Sequence, residues 1–346
     1  MGGAIPLRLE TSPRDLRGRA LSDLRISVLD RCNFRCPYCM PEDRYPRDHV
    51  FLSKAERLRF EEIERLARIF VGLGARKLRL TGGEPLLRRE LPELVRRLAA
   101  IAGVGDLALT TNGSLLAEQV EALRDAGLGR ITLSLDTLDA ETFRTLSGGR
   151  GEVATVLDAI AAAEAAGYSQ LKINCVVVRG VNDHQVLDLV AHFRGSGHVV
   201  RFIEYMDVGT CNAWQSECVV PSGQLRARIA ARWPLIEVPA SYEGEVARRW
   251  AFADGGGEVG FISSVSEPFC GNCTRARLSA DGRLYTCLFA NAGHDLRGVL
   301  RGGADDAELS RLVAALWRAR DDRYSELRGP DVSASRQRVE MYAIGG

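Results

Sequence analysis

Six of the nine cysteines in this 346-residue chain fall into two tight groups. Cys32, Cys36 and Cys39 place three thiols within one short loop, directly after an apolar run. Cys270, Cys273 and Cys287 supply three more near the other end. Thiolate is the usual ligand of iron–sulfur clusters and also a ligand of zinc. A four-iron cubane held by three cysteines keeps one iron open, and that iron can be chelated by a small molecule. Structural zinc prefers four protein ligands. Near the first group no fourth Cys or His is available, since His49 lies ten residues past Cys39. Near the second group His294 could complete a zinc site, so zinc stays open there.

Two further features could serve such centres. Thr81-Gly82-Gly83-Glu84-Pro85 follows a strand-like run, and glycine permits close backbone approach to a ligand. Arg275 and Arg277 stand two apart on an expected strand, so they share a face. A paired guanidinium face suits a polyphosphate, although a solvated edge-strand pair has the same spacing.

The bulk numbers bound the partners. Lys+Arg is 46 against Asp+Glu 45, so no global basic field recruits nucleic acid or a membrane surface. A small anionic substrate would need a local cationic cluster. The chain has no apolar run of about 18 residues, and Met1–Arg19 has no apolar core of a secretory signal. Clustered cysteines in a chain of this kind fit a cytoplasmic protein with metal-binding thiols better than disulfides.

The elements that must position these residues alternate between strand and helix. Strands are expected at Leu24–Leu29, Lys77–Thr81, Leu107–Thr111, Arg130–Leu135, Leu171–Val178 and Val199–Tyr205. Helices are expected at Lys54–Phe70 with Ser53 as N-cap, Arg89–Ile101, a segment ending near Gly127, Val153–Ala166 and Asp183–Phe193. Six such units predict an α/β fold: a parallel sheet or partial (β/α)6 barrel of the TIM type, with the chemistry at the strand ends. The character changes near residue 210. Glu258–Val265 reads as a strand, Arg275–Ser279 and Arg283–Cys287 as a hairpin about Asp281-Gly282, and Asp305–Arg318 as a helix. Gln337–Gly346 shows no clear period. The domains expected are 18–210 and 211–346, the second a C-terminal α+β extension.

The run Leu24–Cys39 resembles the radical S-adenosylmethionine (SAM) signature. Both cysteine groups, their order and their separation are similar to the GTP 3′,8-cyclases of molybdenum cofactor biosynthesis. So are Lys77–Arg88, Leu109–Gly113, Arg201–Asp207 and the terminal Gly345-Gly346. The resemblance spans roughly residues 18–346 and implies a radical SAM lyase that converts GTP to 3′,8-cyclo-7,8-dihydro-GTP. It implies two [4Fe–4S] clusters, one on Cys32, Cys36 and Cys39 that binds SAM, and one on Cys270, Cys273 and Cys287 that binds the substrate. Tyr38, Gly83, Ser134 and Met206 would contact SAM. Arg25, Arg79, Thr110 or its neighbour Thr111, Lys172, Arg201, Arg275, Ala276 and Arg277 would contact GTP. The Gly-Gly tail would reach into the active site. No side chain is singled out as a proton-transfer catalyst. The implied partners are a one-electron reductant and the next pathway enzyme, cyclic pyranopterin monophosphate synthase, with the chain a monomer or homodimer. The alternatives are another two-cluster radical SAM enzyme acting on a peptide, and a non-catalytic zinc-stabilised binding module. Cys175, Cys211 and Cys218 are expected to be buried or incidental.

Overall fold

The computed structural model describes residues 12–328 and 338–345, so Gly346 lies outside the described residues. Among the described residues twelve strands form one sheet. In chain order they are β1 Asp23–Ser27, β2 Lys77–Thr81, β3 Asp106–Thr111, β4 Arg130–Ser134, β5 Lys172–Val177, β6 Val199–Glu204, β7 Leu235–Val238, β8 Arg248–Phe252, β9 Glu258–Ile262, β10 Arg275–Leu278, β11 Arg283–Tyr285 and β12 His294–Asp295. The spatial order is β12-β11-β10-β1-β2-β3-β4-β5-β6-β9-β8-β7.

Strands β1 to β6 are parallel neighbours in sequence order, as the βα alternation predicted. The C-terminal half extends the same sheet. Strand β10 adds in parallel beside β1, and β9 adds in parallel beside β6. Residues of β10 and β9 line one cavity together with β1, β2, β5 and β6. Strands distant in the order thus face one interior, and the sheet curls into a partial barrel.

Period-two alternation sets what faces that interior. In β5, Ile173, Cys175 and Val177 are buried beneath the helices, while Lys172 and Asn174 turn to the cavity. The outer layer buries apolar helix stripes, such as Ile63, Leu66 and Phe70 of the helix Phe60–Gly72. The helix Asp306–Arg318 begins where the sequence predicted, with Asp305 and Glu308 forming a capping box.

Three expectations are corrected. The helix expected from Lys54 begins at Phe60, with Arg59 rather than Ser53 at the N-cap. Leu58 breaks the pattern: its N–H donates to the Ala280 carbonyl at 2.9 Å and its side chain is buried. Ser53 closes a separate turn through Glu56. Asp183–Phe193 divides into a 3-10 turn, Asp183–Gln185, and an α-helix, Val186–Phe193. The tail, read as aperiodic, contains a short helix Met341–Ile344.

Candidate active site

The two cysteine triads occupy opposite ends of the barrel. Cys32, Cys36 and Cys39 follow β1, at the C-terminal edge of the parallel strands. Cys273 precedes β10, where Arg275 pairs with Asp23 at the start of β1. The β10–β11 hairpin pairs Arg277 with Tyr285, which returns Cys287 to that same N-terminal edge.

The loop of the first triad is held by short-range bonds. Cys39 and Met40 N–H groups donate to the Cys36 carbonyl at 3.0 and 2.9 Å. The Arg35 guanidinium donates to the carbonyls of Cys32, Phe34 and Tyr45. Gly83 sits against this loop: a Cβ there would collide with the Arg31 carbonyl. Its own N–H donates to the Leu29 carbonyl at 2.8 Å, which leaves its carbonyl side for a ligand. The Tyr38 hydroxyl donates to Asp136 at 2.6 Å, and Ser134 ends β4 next to this pair. Burial pushes the Cys32 thiol up to about 12, with the Glu84 carboxylate adding to the effect. Burial likewise raises Cys36 and Cys39, reinforced by the neighbouring thiols.

The second triad stands among arginines. Arg19 donates to the Cys270 carbonyl and Arg320 to the Cys273 carbonyl, each at 2.7 Å. Buried Asp15 bridges the two guanidiniums at 2.6 and 3.2 Å. Burial works against the Cys273 thiolate, yet Arg275 and Arg320 draw it down to about 6. Burial and then Asp322 push Cys287 up to about 12.

Both triads offer sulfurs to backbone donors. Phe34 N–H donates to Cys32 Sγ and Phe289 N–H to Cys287 Sγ, each at 3.4 Å. Such N–H···S bonds suit iron–sulfur thiolates. All nine cysteines are free thiols. Among the described residues no three His, Cys, Asp or Glu side chains are arranged about a single ion. A zinc ion would hold its thiolates about 4 Å apart. His294 is exposed on edge strand β12, opposite Leu284, and does not complete a site with the triad. Three free thiols in each triad are the donor chemistry of a sulfur-ligated cluster with an open position.

Between the ends lies a cavity of about 310 Å³ lined by all three cysteines of the second triad. Arg25, Arg79, Thr110, Lys172, Arg201, Arg275 and Arg277 converge on it, as the resemblance implied, and Met206 reaches it from the C-terminal end of β6. Thr110, not Thr111, is on the cavity side: its hydroxyl accepts from Arg79 at 2.8 Å, while buried Thr111 donates to Glu84 at 2.7 Å. Ala276 is the exception among the expected contacts. Its methyl lies in the hydrophobic core on the opposite face of β10, so only its backbone could reach a ligand.

Among the described residues, Arg275 is paired with the Cys273 sulfur at 3.3 Å, while Arg25, Arg79, Lys172, Arg201 and Arg277 have no carboxylate within ion-pair distance. Burial, followed by mutual repulsion, depresses Arg79 to about 10 and Arg201 and Arg277 to about 9. Arg25 is lowered by burial and by Arg277, Arg275 and Arg79. Burial and Arg201 lower Lys172 to about 7. A bound polyanion would relieve this cost. Lys77, Asn174 and Arg320 also line the cavity and were not anticipated. Lys77 and Asn174 are each two residues from an anticipated position, so the period-two rule could have found them. Arg320 follows a helix and carries no such signal.

The described end of the tail enters the same interior. Arg277 donates to the Gly345 carbonyl and, at 3.3 Å, to that of Ile344. Gly345 has φ +71°, and a side chain there would strike Thr81. Behind it, Glu340 accepts from Thr210 N–H and hydroxyl at 2.9 and 2.7 Å and from Cys211 at 3.0 Å. Cys211 thus has a partner and is only partly buried, as is Cys218; of the three cysteines outside the triads, Cys175 alone is buried.

Residues 26–193 match the radical SAM superfamily and residues 198–326 match Molybdenum Cofactor Synthesis C. The chain is 60% identical over 337 residues to a GTP 3′,8-cyclase of Xanthomonas axonopodis pv. citri, covering 97% of this chain and all of that protein. This chain belongs to the GTP 3′,8-cyclase family. It is also 52% identical to the GTP 3′,8-cyclase of Acidothermus cellulolyticus over 94% of this chain and 91% of that one, and 45% identical to that of Staphylococcus haemolyticus over 96% and 98%. In fold, this cyclase-family chain is similar to SuiB of Streptococcus suis bound to precursor peptide SuiA. The TM-score is 0.60 at 15% identity, over 90% of this chain and 67% of that one. SuiB bound to S-adenosylmethionine gives 0.59 at 15%, over 92% and 73%. That likeness concerns the fold alone. As a family member, the chain is a radical SAM enzyme that uses SAM and a [4Fe–4S] cluster. No helix among the described residues is long and apolar enough to cross a membrane.

Proposed function

We propose that the protein is a GTP 3′,8-cyclase, forming 3′,8-cyclo-7,8-dihydro-GTP in molybdenum cofactor biosynthesis. The observation that carries this reading is the cavity, walled by cations and closed at one end by a thiol triad. Cys32, Cys36 and Cys39 would hold the first cluster, and Cys270, Cys273 and Cys287 a second one. When bound, the first cluster and SAM supply one-electron cleavage of the sulfonium, giving a carbon-centred oxidant able to take hydrogen from C3′ of GTP.

The chain's own residues bind, orient and exclude water. Tyr38, Gly83, Ser134 and Met206 would frame SAM at the C-terminal strand edge. Arg25, Arg79, Lys172, Arg201, Arg275 and Arg277, with Thr110 and the Ala276 backbone, would hold the substrate. A triphosphate would replace mutual repulsion with charge-assisted hydrogen bonds. Fixing the nucleotide between the two ends brings its ribose toward the SAM side while the base stays at the second triad. Residues 18–210 would thus serve initiation and residues 211–346 substrate anchoring.

Thiol-ligated centres of this kind fit a cytoplasmic enzyme supplied by an external one-electron reductant. Its product would pass to cyclic pyranopterin monophosphate synthase, and the chain would act as a monomer or homodimer. Anaerobic reconstitution followed by SAM, GTP and a reductant tests the reading. GTP-dependent 5′-deoxyadenosine together with the cyclised nucleotide is expected. Formation of 5′-deoxyadenosine with a peptide and none with GTP would overturn it.

A further inference from the structure

The chain ahead of β1 folds back into a hook, with Arg14 bridged to Ala20. At its centre is Asp15, whose carboxylate is fully buried. Oδ1 accepts from the N–H groups of Arg17 and Arg19, each at 2.9 Å. Oδ2 accepts from Arg19 Nε at 2.6 Å and from Arg320 Nη1 at 3.2 Å. The two side chains that donate to Oδ2 are almost fully buried, at 2% and 1% exposure. Trp317 closes the group. Its ring lies 4.5 Å from the Arg320 guanidinium, and its N–H donates to the Arg19 carbonyl at 3.0 Å.

This ion group ends on the second triad. Arg19 donates to the Cys270 carbonyl and Arg320 to the Cys273 carbonyl. Arg320 Nε also donates to Asp322 at 3.3 Å, which accepts from Thr286, the residue before Cys287, at 2.6 Å. Two guanidiniums thus face two carboxylates, and their formal charges cancel. They are not equally screened. The Asp322 carboxylate is 32% exposed, whereas Asp15 meets no solvent. A buried ion group costs desolvation and adds little net stability. A tether alone could be built from neutral hydrogen bonds. Charges sealed beside a sulfur-ligated site act through their field, which water does not damp.

We infer that Asp15 is a positioning residue of the second centre: through Arg19 and Arg320, its buried charge sets the reduction potential of a cluster held by Cys270, Cys273 and Cys287. This rests on the two-cluster reading above. Reduction adds one electron to such a cluster, with no bond made or broken. Net charge and hydrogen bonds around the sulfurs set how readily that electron enters. A negative charge nearby opposes it, and a positive one favours it. Asp15→Asn keeps an oxygen that accepts from the guanidiniums and removes the charge. Arginine stays protonated in proteins, so the site gains one net positive charge. Arg320→Gln does the reverse. Arg320→Lys keeps the charge and loses the forked hydrogen bonds. At an effective dielectric constant of about 20, a unit charge roughly 10 Å away changes the ratio of reduced to oxidised centre by about tenfold.

The test is a redox titration of the anaerobically reconstituted full chain, without nucleotide, using dithionite and electron paramagnetic resonance. The first centre, recognised by its response to SAM, is the internal reference and should not move. At the wild-type midpoint of the second centre, D15N should raise the reduced-to-oxidised ratio about tenfold, an upward shift of about 59 mV for one electron. R320Q should lower that ratio about tenfold, and R320K should stay within about threefold of wild type. General damage to the site would move D15N and R320Q the same way, so opposite shifts are the signature of charge. Shifts of the same sign, or none in either variant, would overturn the assignment of Asp15 and leave the two-cluster reading intact. Where D15N alone loses the second centre, R320Q against R320K decides by the same signs. Loss of that centre from all three variants would make the group a structural tether and overturn the inference. A wild-type chain that reconstitutes with about four irons rather than about eight would overturn the two-cluster reading itself.

Discussion

The two cysteine triads share ligand number and differ in nearly everything around them. The first lies at the C-terminal edge of the sheet, where Glu84 lies near Cys32 and Asp136 near Cys36 and raises the latter's pKa, and where burial pushes the thiols up. The second lies at the N-terminal edge, where Arg275 and Arg320 hold Cys273 low. Acidic surroundings suit SAM, a sulfonium that also carries an ammonium group. An arginine field suits a polyphosphate. On the reading proposed above, the charge of the walls would assign the chemically similar triads different ligands, and their placement at opposite ends would separate initiation from anchoring.

The comparison can be broken by removing either end. Cys36→Ala should lower SAM cleavage by at least about a thousandfold, read as 5′-deoxyadenosine by chromatography. Cys273→Ala should reduce cyclised product by about a hundredfold while SAM cleavage stays within about tenfold of wild type. Equal losses of both products in the two variants would abolish the division of labour.

The cationic wall sharpens it further. Arg277→Ala should raise the KM for GTP by about ten- to hundredfold and change SAM affinity far less, because Arg277 lines the cationic cavity beside the second triad.

Lys172 predicts a pH effect. Burial and the neighbouring Arg201 lower its pKa from the ordinary value of 10.5 to about 7. A bound triphosphate favours the protonated amine and raises that value. Above pH about 7 binding must therefore take up a proton, and GTP affinity should fall by up to about tenfold per pH unit. Below pH about 7 Lys172 is already charged and its contribution flattens. Lys172→Met should remove this slope, and a titration of GTP Kd against pH checks it.

On the other side, Tyr38→Phe deletes the bond to Asp136. It should weaken SAM binding by only about fivefold, with GTP binding unchanged.

Much of this was legible in the chain itself. Six parallel strands, both triads, the arginine face of β10 and the helix ending at Arg318 follow from alternation, spacing and turn chemistry that act locally. The helix start was not, because Leu58 is drawn out by the distant Ala280 carbonyl, a contact that no local pattern encodes. The sequence also did not indicate that β9 and β10 would extend the barrel at its two margins, since β10 pairs with β1 across more than 200 residues and β9 with β6 across more than 50, both tertiary choices. Arg320 and Asp322 were missed for the same reason: they follow a helix in the chain and reach the triad only through folding. Ala276 shows the converse error, in which a run of neighbours was carried over although alternate residues on a strand face opposite sides.

The central claim, that the triads hold separate centres with separate ligands, is tested most directly by electron paramagnetic resonance of two reduced, reconstituted variants. One lacks Cys32, Cys36 and Cys39, and the other lacks Cys270, Cys273 and Cys287. The first should keep about four irons and respond to GTP alone; the second should keep about four and respond to SAM alone. A spectrum of the second variant that shifts with GTP, or of the first that shifts with SAM, would contradict the account.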